Sequence, residues 1–427
     1  MNAVESTETL TAALVAGATE HRDPDWLVAQ RKAALPLIDQ LPVPKFHRFT
    51  YPDWNLIDHR LLWRESNADL ASDIEQPQDH ADIVQVGQTT VRVNLPEDLR
   101  QQGVILTDLF TALNEYPDLV RPYLNQIISA TEDKLAAYHV AYLNSGIFLY
   151  VPQNVVVREP IDAHLIQDST TNATLVSHVL LVTAPNSQVA FTQHLTTRGD
   201  HKNLLNNVVE IAAEDGSQVK FASVDELGVN TLTYFNRRAL VKHNAEVDWA
   251  VGLMNFGDTI GQFDTNLVGE GGHTDTKVVA ITSADQREGI NTRITNRGKH
   301  TVGNIFQRGV LLGDSELVFN GIGDIIHGAS GANAEQENRL LMMSPGTHGD
   351  ANPILLIDEN DVMAGHAASV GQVDQHQLYY LMSRGIDRKT AERLVIRGFL
   401  SAVLTAIPSK NVQQQLVKTI ERNLKNG

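Results

Sequence analysis

Hydrophobic and polar positions follow two rhythms along this chain, and the change between them divides it into three regions. Residues 1–146 are mixed and mostly helical. Leu10–Leu14 and Trp26–Leu37 carry apolar side chains at helical spacing, until Pro36, Pro42 and Pro44 interrupt it. Ile83–Val86 and Val91–Val93 alternate as a small strand pair, and helical spacing returns over Leu106–Tyr116 and Pro122–Tyr142. From residue 147 to 373 the helical period gives way to short alternating runs, among them HVLLVT (178–183), QVAFTQHL (188–195), QVKFASV (218–224) and NIFQRGVLL (304–312). Residues 374–427 return to helix. Gln375–Ser383 forms one helix ended by Gly385, Asp387 caps a second over 388–406, and Pro408 and Ser409 separate it from a third over 409–425.

The corners between the middle runs, at Asn186-Ser187, Asp215-Gly216, His243-Asn244, Gly271-Gly272 and Arg297-Gly298, recur at about 28 residues, which marks a geometric repeat. A meander of hairpins and a parallel β-helix both accommodate such a repeat. Hairpins favour tight Asn-Gly or Asp-Gly turns, and only Asp215-Gly216 supplies one at these corners, so the pattern favours stacked coils.

Composition narrows the function classes. Lys and Arg number 34 against 51 Asp and Glu, a formal charge of −17, which disfavours a nucleic-acid surface because such binding relies on cations against phosphates. With no cysteine, the chain can form neither a disulfide nor a thiolate metal site by itself. The first residues lack a basic segment ahead of an apolar one, and Gly398–Ile407 is too short to cross a bilayer, so the expectation is a cytoplasmic protein with no membrane contact. Phosphate-loop, zinc-helix and nucleophile-elbow motifs are absent from the sequence. The glycines of GEGGHTD (269–275) fit a coil corner better than a dinucleotide site.

Two places carry candidate chemistry. Sixteen histidines are scattered without the i, i+4 pairing of a helical metal site. His366 differs by lying in the small-residue stretch DENDVMAGHAASVGQVD (358–374), where the imidazole stays accessible and suits iron or zinc. Asp358, Glu359 and Asp361 form an acidic group of the kind polysaccharide-cleaving β-helices use, with a solvated turn as the plainer reading.

Three stretches resemble the SufB/SufD family: LNSGIFLYVPQNVVVREPI (143–161), FNGIGDIIHGASGANAEQENRLLMM (319–343) and NPILLIDENDVMAGHAASVGQVDQHQLYYLMSRGI (352–386). The resemblance implies a right-handed parallel β-helix core flanked by an N-terminal, mostly helical α/β region and C-terminal helices. It also implies a scaffold, not an enzyme, in the SUF iron–sulfur cluster assembly complex. His366 matches the histidine of the family's SHGATVG pattern, with three small neighbours exchanged for other small residues. Lacking cysteine, the chain is similar to the SufD-like branch, which implies pairing with a SufB-like subunit and docking of a SufC-like ATPase. By the same resemblance His366 becomes a cluster-related ligand at that interface, and Leu394, Val395, Phe399 and Leu400 an ATPase dock. The cluster would be transient and not held stably by this chain alone, and the family's chemistry admits a reduced flavin. Outside the resemblance stand a carbohydrate-active β-helix enzyme and a homodimeric regulatory or structural protein.

Overall fold

Strands between Ser145 and Gln372 alternate between two sheets, a first that ends on Met363–Gln372 and a second that ends on His348–Ile357, so that each coil contributes one strand to each and pairs in parallel with the coil before it. A computed structural model describes residues 7–60, 65–75, 80–405 and 410–426 of the chain. Eight coils stack in this way, a parallel β-solenoid, as the alternating runs predict. Register shows the repeat directly: Glu246 lies beside His273, His273 beside Val302, Val302 beside Asn333, and Asn333 beside Met363.

The corners explain the spacing. Asn186, Gly216, Asn244, Gly271 and His300 all have φ between 49° and 70°. Each donates its backbone N–H to a carbonyl at the next coil's corner, Asn186 to Asp215, Gly216 to His243, Asn244 to Glu270, Gly271 to Lys299 and His300 to Ser330. Left-handed backbone favours Gly and Asn, and one such residue per coil is the periodic signal that the sequence displays.

Inside the solenoid, alternate residues form rows, with Phe191 stacked on Phe221 at a ring separation of 5.9 Å and Trp249 tilted against Phe221 at 5.0 Å. The two outer faces are clad differently. On the second sheet lie the helices Asp25–Ala34 and Lys134–Tyr142 with Phe46, Phe49 and Tyr51, packed on Tyr234, Ile260 and Val318. On the first sheet lie the helices Arg388–Leu404 and Lys410–Asn426, whose Ile396, Leu400 and Ile420 bury against Val224, Ala250 and Val279. Pro408 and Ser409, which separate the last two helices in the sequence reading, lie outside the described residues. No helix among the described residues is long and apolar enough to cross a membrane.

The helical expectation over Pro122–Tyr142 needs correction: only Lys134–Tyr142 is helix. Asn125 is left-handed at φ 59°, and the buried Glu210 carboxylate takes the N–H groups of Asn125, Ile127 and Ile128 at 2.7–2.9 Å. A carboxylate from the solenoid thus satisfies donors that a helix would have used. Leu106–Tyr116 likewise divides into a strand, Ile105–Asp108, and a helix, Leu109–Glu115, capped by Asp108. The expected strand pair is a hairpin, Asp82–Val86 with Thr89–Asn94, and its first strand extends the first sheet beside Ile161–Ser169.

Candidate functional site

The last coil consists of His348–Ile357 in the second sheet and Met363–Gln372 in the first. Each pairs on one side only, with Glu316–Ile325 and Asn333–Met342 respectively. No described strand lies on their other sides, so two ten-residue edges stand open. The chain then leaves the sheet through Asp374, whose carboxylate caps the helix Gln375–Ser383 by accepting the His376 N–H at 2.8 Å. A long unpaired edge of this kind invites another strand. Leu356, Ile357, Met363 and Val370 are all exposed along it, Met363 at 68%.

His366 sits in the middle of the Met363–Gln372 edge and is exposed. Its register neighbour is Gln336, which lies in the buried, inward-facing set Ala334, Gln336, Asn338 and Leu340. Residues paired in a parallel ladder project to the same side. His366 therefore belongs to the inward row, at the mouth of the solenoid. Gly365 and Gly371 have open space around them, and Ala364, Ala367, Ala368 and Ser369 are small. An imidazole here can reach a ligand arriving from beyond the end of the coil stack.

The acidic group near this end has a structural job. Glu359 accepts the N–H groups of Gly328 and Asn360 at 2.9 and 2.8 Å, which holds its carboxyl below the usual range. Asp361 accepts the Ser330 hydroxyl at 2.8 Å. Both fasten the last corner to the one before it.

The four dock residues divide. Leu400 is fully buried against the solenoid, and Phe399 packs in the same cluster with the Arg308 guanidinium 5.6 Å from its ring centre. Arg308 also donates to the Phe399 carbonyl at 2.8 Å. Val395 packs partly buried with Val373, Leu378 and Ala391. Leu394 alone is exposed, at 46%. Leu400 and Phe399 thus attach the helix to its own domain, and the face open to a partner is Leu394, with Tyr379, Tyr380 and Met382 exposed on the preceding helix.

Among the described residues, one grouping of His and carboxylates has donor atoms within 4.8 Å of one another: Asp248, His273 and Asp275, half-buried on the outer face of the first sheet. Asp275 is already engaged by Lys277 at 3.2 Å, Asn304 at 2.9 Å and His273 at 3.7 Å. The adjacent Asp275 carboxylate raises the His273 pKa, and His273 in turn lowers that of Asp275, as in an ion pair. Linear spacing misses this grouping because its members meet one coil apart. A second such meeting is fully buried. His139 contacts Asn206 at 2.9 Å and His178 at 3.0 Å, His178 contacts Glu210 at 3.2 Å, and the chain of contacts welds the helix Lys134–Tyr142 to the second sheet.

Comparison with known proteins bears on the open end. The family model for the SUF system FeS cluster assembly SufBD core domain matches residues 165–399, and that for the SufBD protein N-terminal region matches residues 67–163. The iron-sulfur cluster assembly protein SufD of Bacillus subtilis is 42% identical over 421 residues, spanning 95% of this chain and 96% of its own. SufB of the same organism is 26% identical over 316 residues, 74% of this chain and 68% of its own. An iron-sulfur cluster assembly SufBD family protein of Staphylococcus epidermidis is 23% identical over 405 residues, 90% and 87% of the two chains.

Proposed function

Because this chain belongs to the SufB/SufD family of iron–sulfur cluster assembly proteins, we propose that it is the cysteine-free scaffold half of a two-solenoid assembly site. Its open end pairs with the end of a SufB-like subunit, which supplies the thiolates that this chain lacks. His366 contributes an imidazole at the junction, and the cluster is cargo assembled there. A SufC-like ATPase docks on the C-terminal helices, on the side of Leu394 and Tyr379. The observation that carries this reading is the position of His366: an accessible imidazole at the centre of an unpaired edge, in a chain with no sulfur ligand of its own.

The test is co-expression with a SufB-like chain, followed by measurement of iron and sulfide in the purified complex. His366→Ala is expected to leave the two chains together and to lower cluster content several-fold, since an exposed edge residue carries little of the fold. Wild-type cluster content in the His366→Ala complex would remove the histidine from the site. Failure of the two chains to co-purify would remove the pairing.

A further inference from the structure

Directly beneath His366 the interior of the solenoid is lined by buried amides. In the row that ends on His366, Phe221, Trp249, Thr276 and Ile305 lead to Gln336. In the adjacent row, Val251, Val278 and Gln307 lead to Asn338, and Ala368 stands above it. Gln336 is 4% exposed and Asn338 fully buried. The Gln336 Nε2 donates to the Ile354 carbonyl at 3.0 Å, which fixes the direction of the amide. Its Oε1, and both polar atoms of Asn338, have no hydrogen-bond partner among the described residues.

Unpaired buried amide atoms also occur at Gln193, Asn207 and Gln307, but Gln336 and Asn338 are the pair that lies under the open end. A buried amide atom left unpaired costs about 1–3 kcal/mol, and an apolar side chain of similar shape avoids the cost. The facing strand even gives up volume to admit these groups. A Cβ on Gly321 would lie 2.8 Å from the Asn338 Nδ2 and 3.1 Å from the Gln336 Oε1, and one on Gly323 would lie 2.6 Å from the Gln336 Nε2. Neither residue can therefore become alanine without moving the amides.

We infer that Gln336 is a positioning residue for His366, with the Asn338 amide behind it. An imidazole that binds a metal through one nitrogen usually donates its other N–H to an acceptor that fixes ring and tautomer. Gln336 stands in the same row, one strand spacing of about 4.8 Å below, and its Oε1 is an uncommitted acceptor. A ring N–H turned to that oxygen would leave the opposite nitrogen facing outward, toward the mouth. This inference rests on the reading of His366 given above.

The experiment compares Gln336→Met, Gln336→Glu and His366→Ala in the complex with the SufB-like chain, reading retained iron, the visible absorption spectrum of the cluster and the thermal midpoint of each isolated chain. Gln336→Met removes the acceptor at nearly constant volume. It is expected to weaken iron retention about tenfold and to shift the spectrum, with no fall in the thermal midpoint. Gln336→Glu keeps an acceptor oxygen, loses the donor to the Ile354 carbonyl, and is expected to restore the spectrum at a lower thermal midpoint. An unchanged cluster in Gln336→Met, with loss in His366→Ala, overturns the role of Gln336 and leaves that of His366 standing. Normal cluster content in His366→Ala overturns both. Loss of iron in Gln336→Met together with a lower midpoint, the iron not restored by Gln336→Glu, reduces Gln336 to a packing residue and overturns the inference.

Discussion

At its N-terminal end the solenoid runs into short antiparallel strands, whereas at its C-terminal end two ten-residue parallel strands stop with no described strand beside them. The first end is closed in detail. Gln85 donates to the Gly146 carbonyl at 2.7 Å and to the Thr90 hydroxyl at 2.9 Å, and Arg92 pairs with Asp82 at 2.6 Å. The edge left there is only the six residues Thr89–Asn94 and the four of Ile105–Asp108. Short antiparallel edges of this kind are a usual way of preventing strand addition. The second end carries small residues, exposed apolar side chains and the imidazoles of His348 and His366, and its Asn352 bonds back down the stack to Asn320 at 3.1 Å and not to a covering strand. The same chain blunts one edge and leaves the other able to pair.

The largest expected effect that separates the ends is on stability. Ile83 is fully buried at the closed end, and Ile83→Ala is expected to cost about 2–5 kcal/mol in urea unfolding. Val370 at the open end is 41% exposed, and Val370→Ala is expected to cost no more than about 1 kcal/mol. Equal costs would mean that the open end is as tightly packed as the closed one.

Acid should act on the closed and clad side as well. Burial, with His194, Arg92 and His80 nearby, holds the His164 pKa down to about 3, and burial beside His178 holds His139 well below its ordinary value. Both are neutral in the fold, whereas in the unfolded chain they gain protons below a pH of about 6.5. The unfolded state therefore binds more protons in this window, and stability is full above it and falls as pH drops from about 6.5 toward 3. His164→Gln should flatten that slope in thermal unfolding measured across pH. A slope identical to wild type would show that His164 is not held neutral.

Much of the fold was legible because its signals are local. Corners that need left-handed backbone call for Gly or Asn at each coil, and Asn186, Gly216, Asn244 and Gly271 display them. The cap at Asp387, which accepts from the Thr390 N–H at 3.0 Å, was equally readable. What failed was settled at long range. The segment after Pro122 is unwound by Glu210, some eighty residues on, and no local pattern announces that. The candidate site was half legible. His366 stands out by its neighbours, but Gln336 and Asn338 sit in the run Glu335–Arg339, where every residue is polar and sequence cannot tell which alternate set faces inward. Helical spacing likewise could not separate Leu400, which is buried, from Leu394, which is not.

The smallest expected effect on stability is the sharpest test of the comparison. Val93 lies on the closed end's short edge strand and Leu356 on the open end, and their exposures are nearly matched at 42% and 44%. Lysine at either position should change the stability of the isolated chain by no more than about 0.5 kcal/mol, because neither side chain fills the core. Pairing should tell them apart. An inserted charge is one of the devices by which sheet edges avoid strand addition. Leu356→Lys is therefore expected to reduce co-purification with a SufB-like chain, and Val93→Lys to leave it intact. Equal recovery of both variants with the partner would mean that exposure, and not the missing bonds of the last coil, is all that distinguishes the two ends.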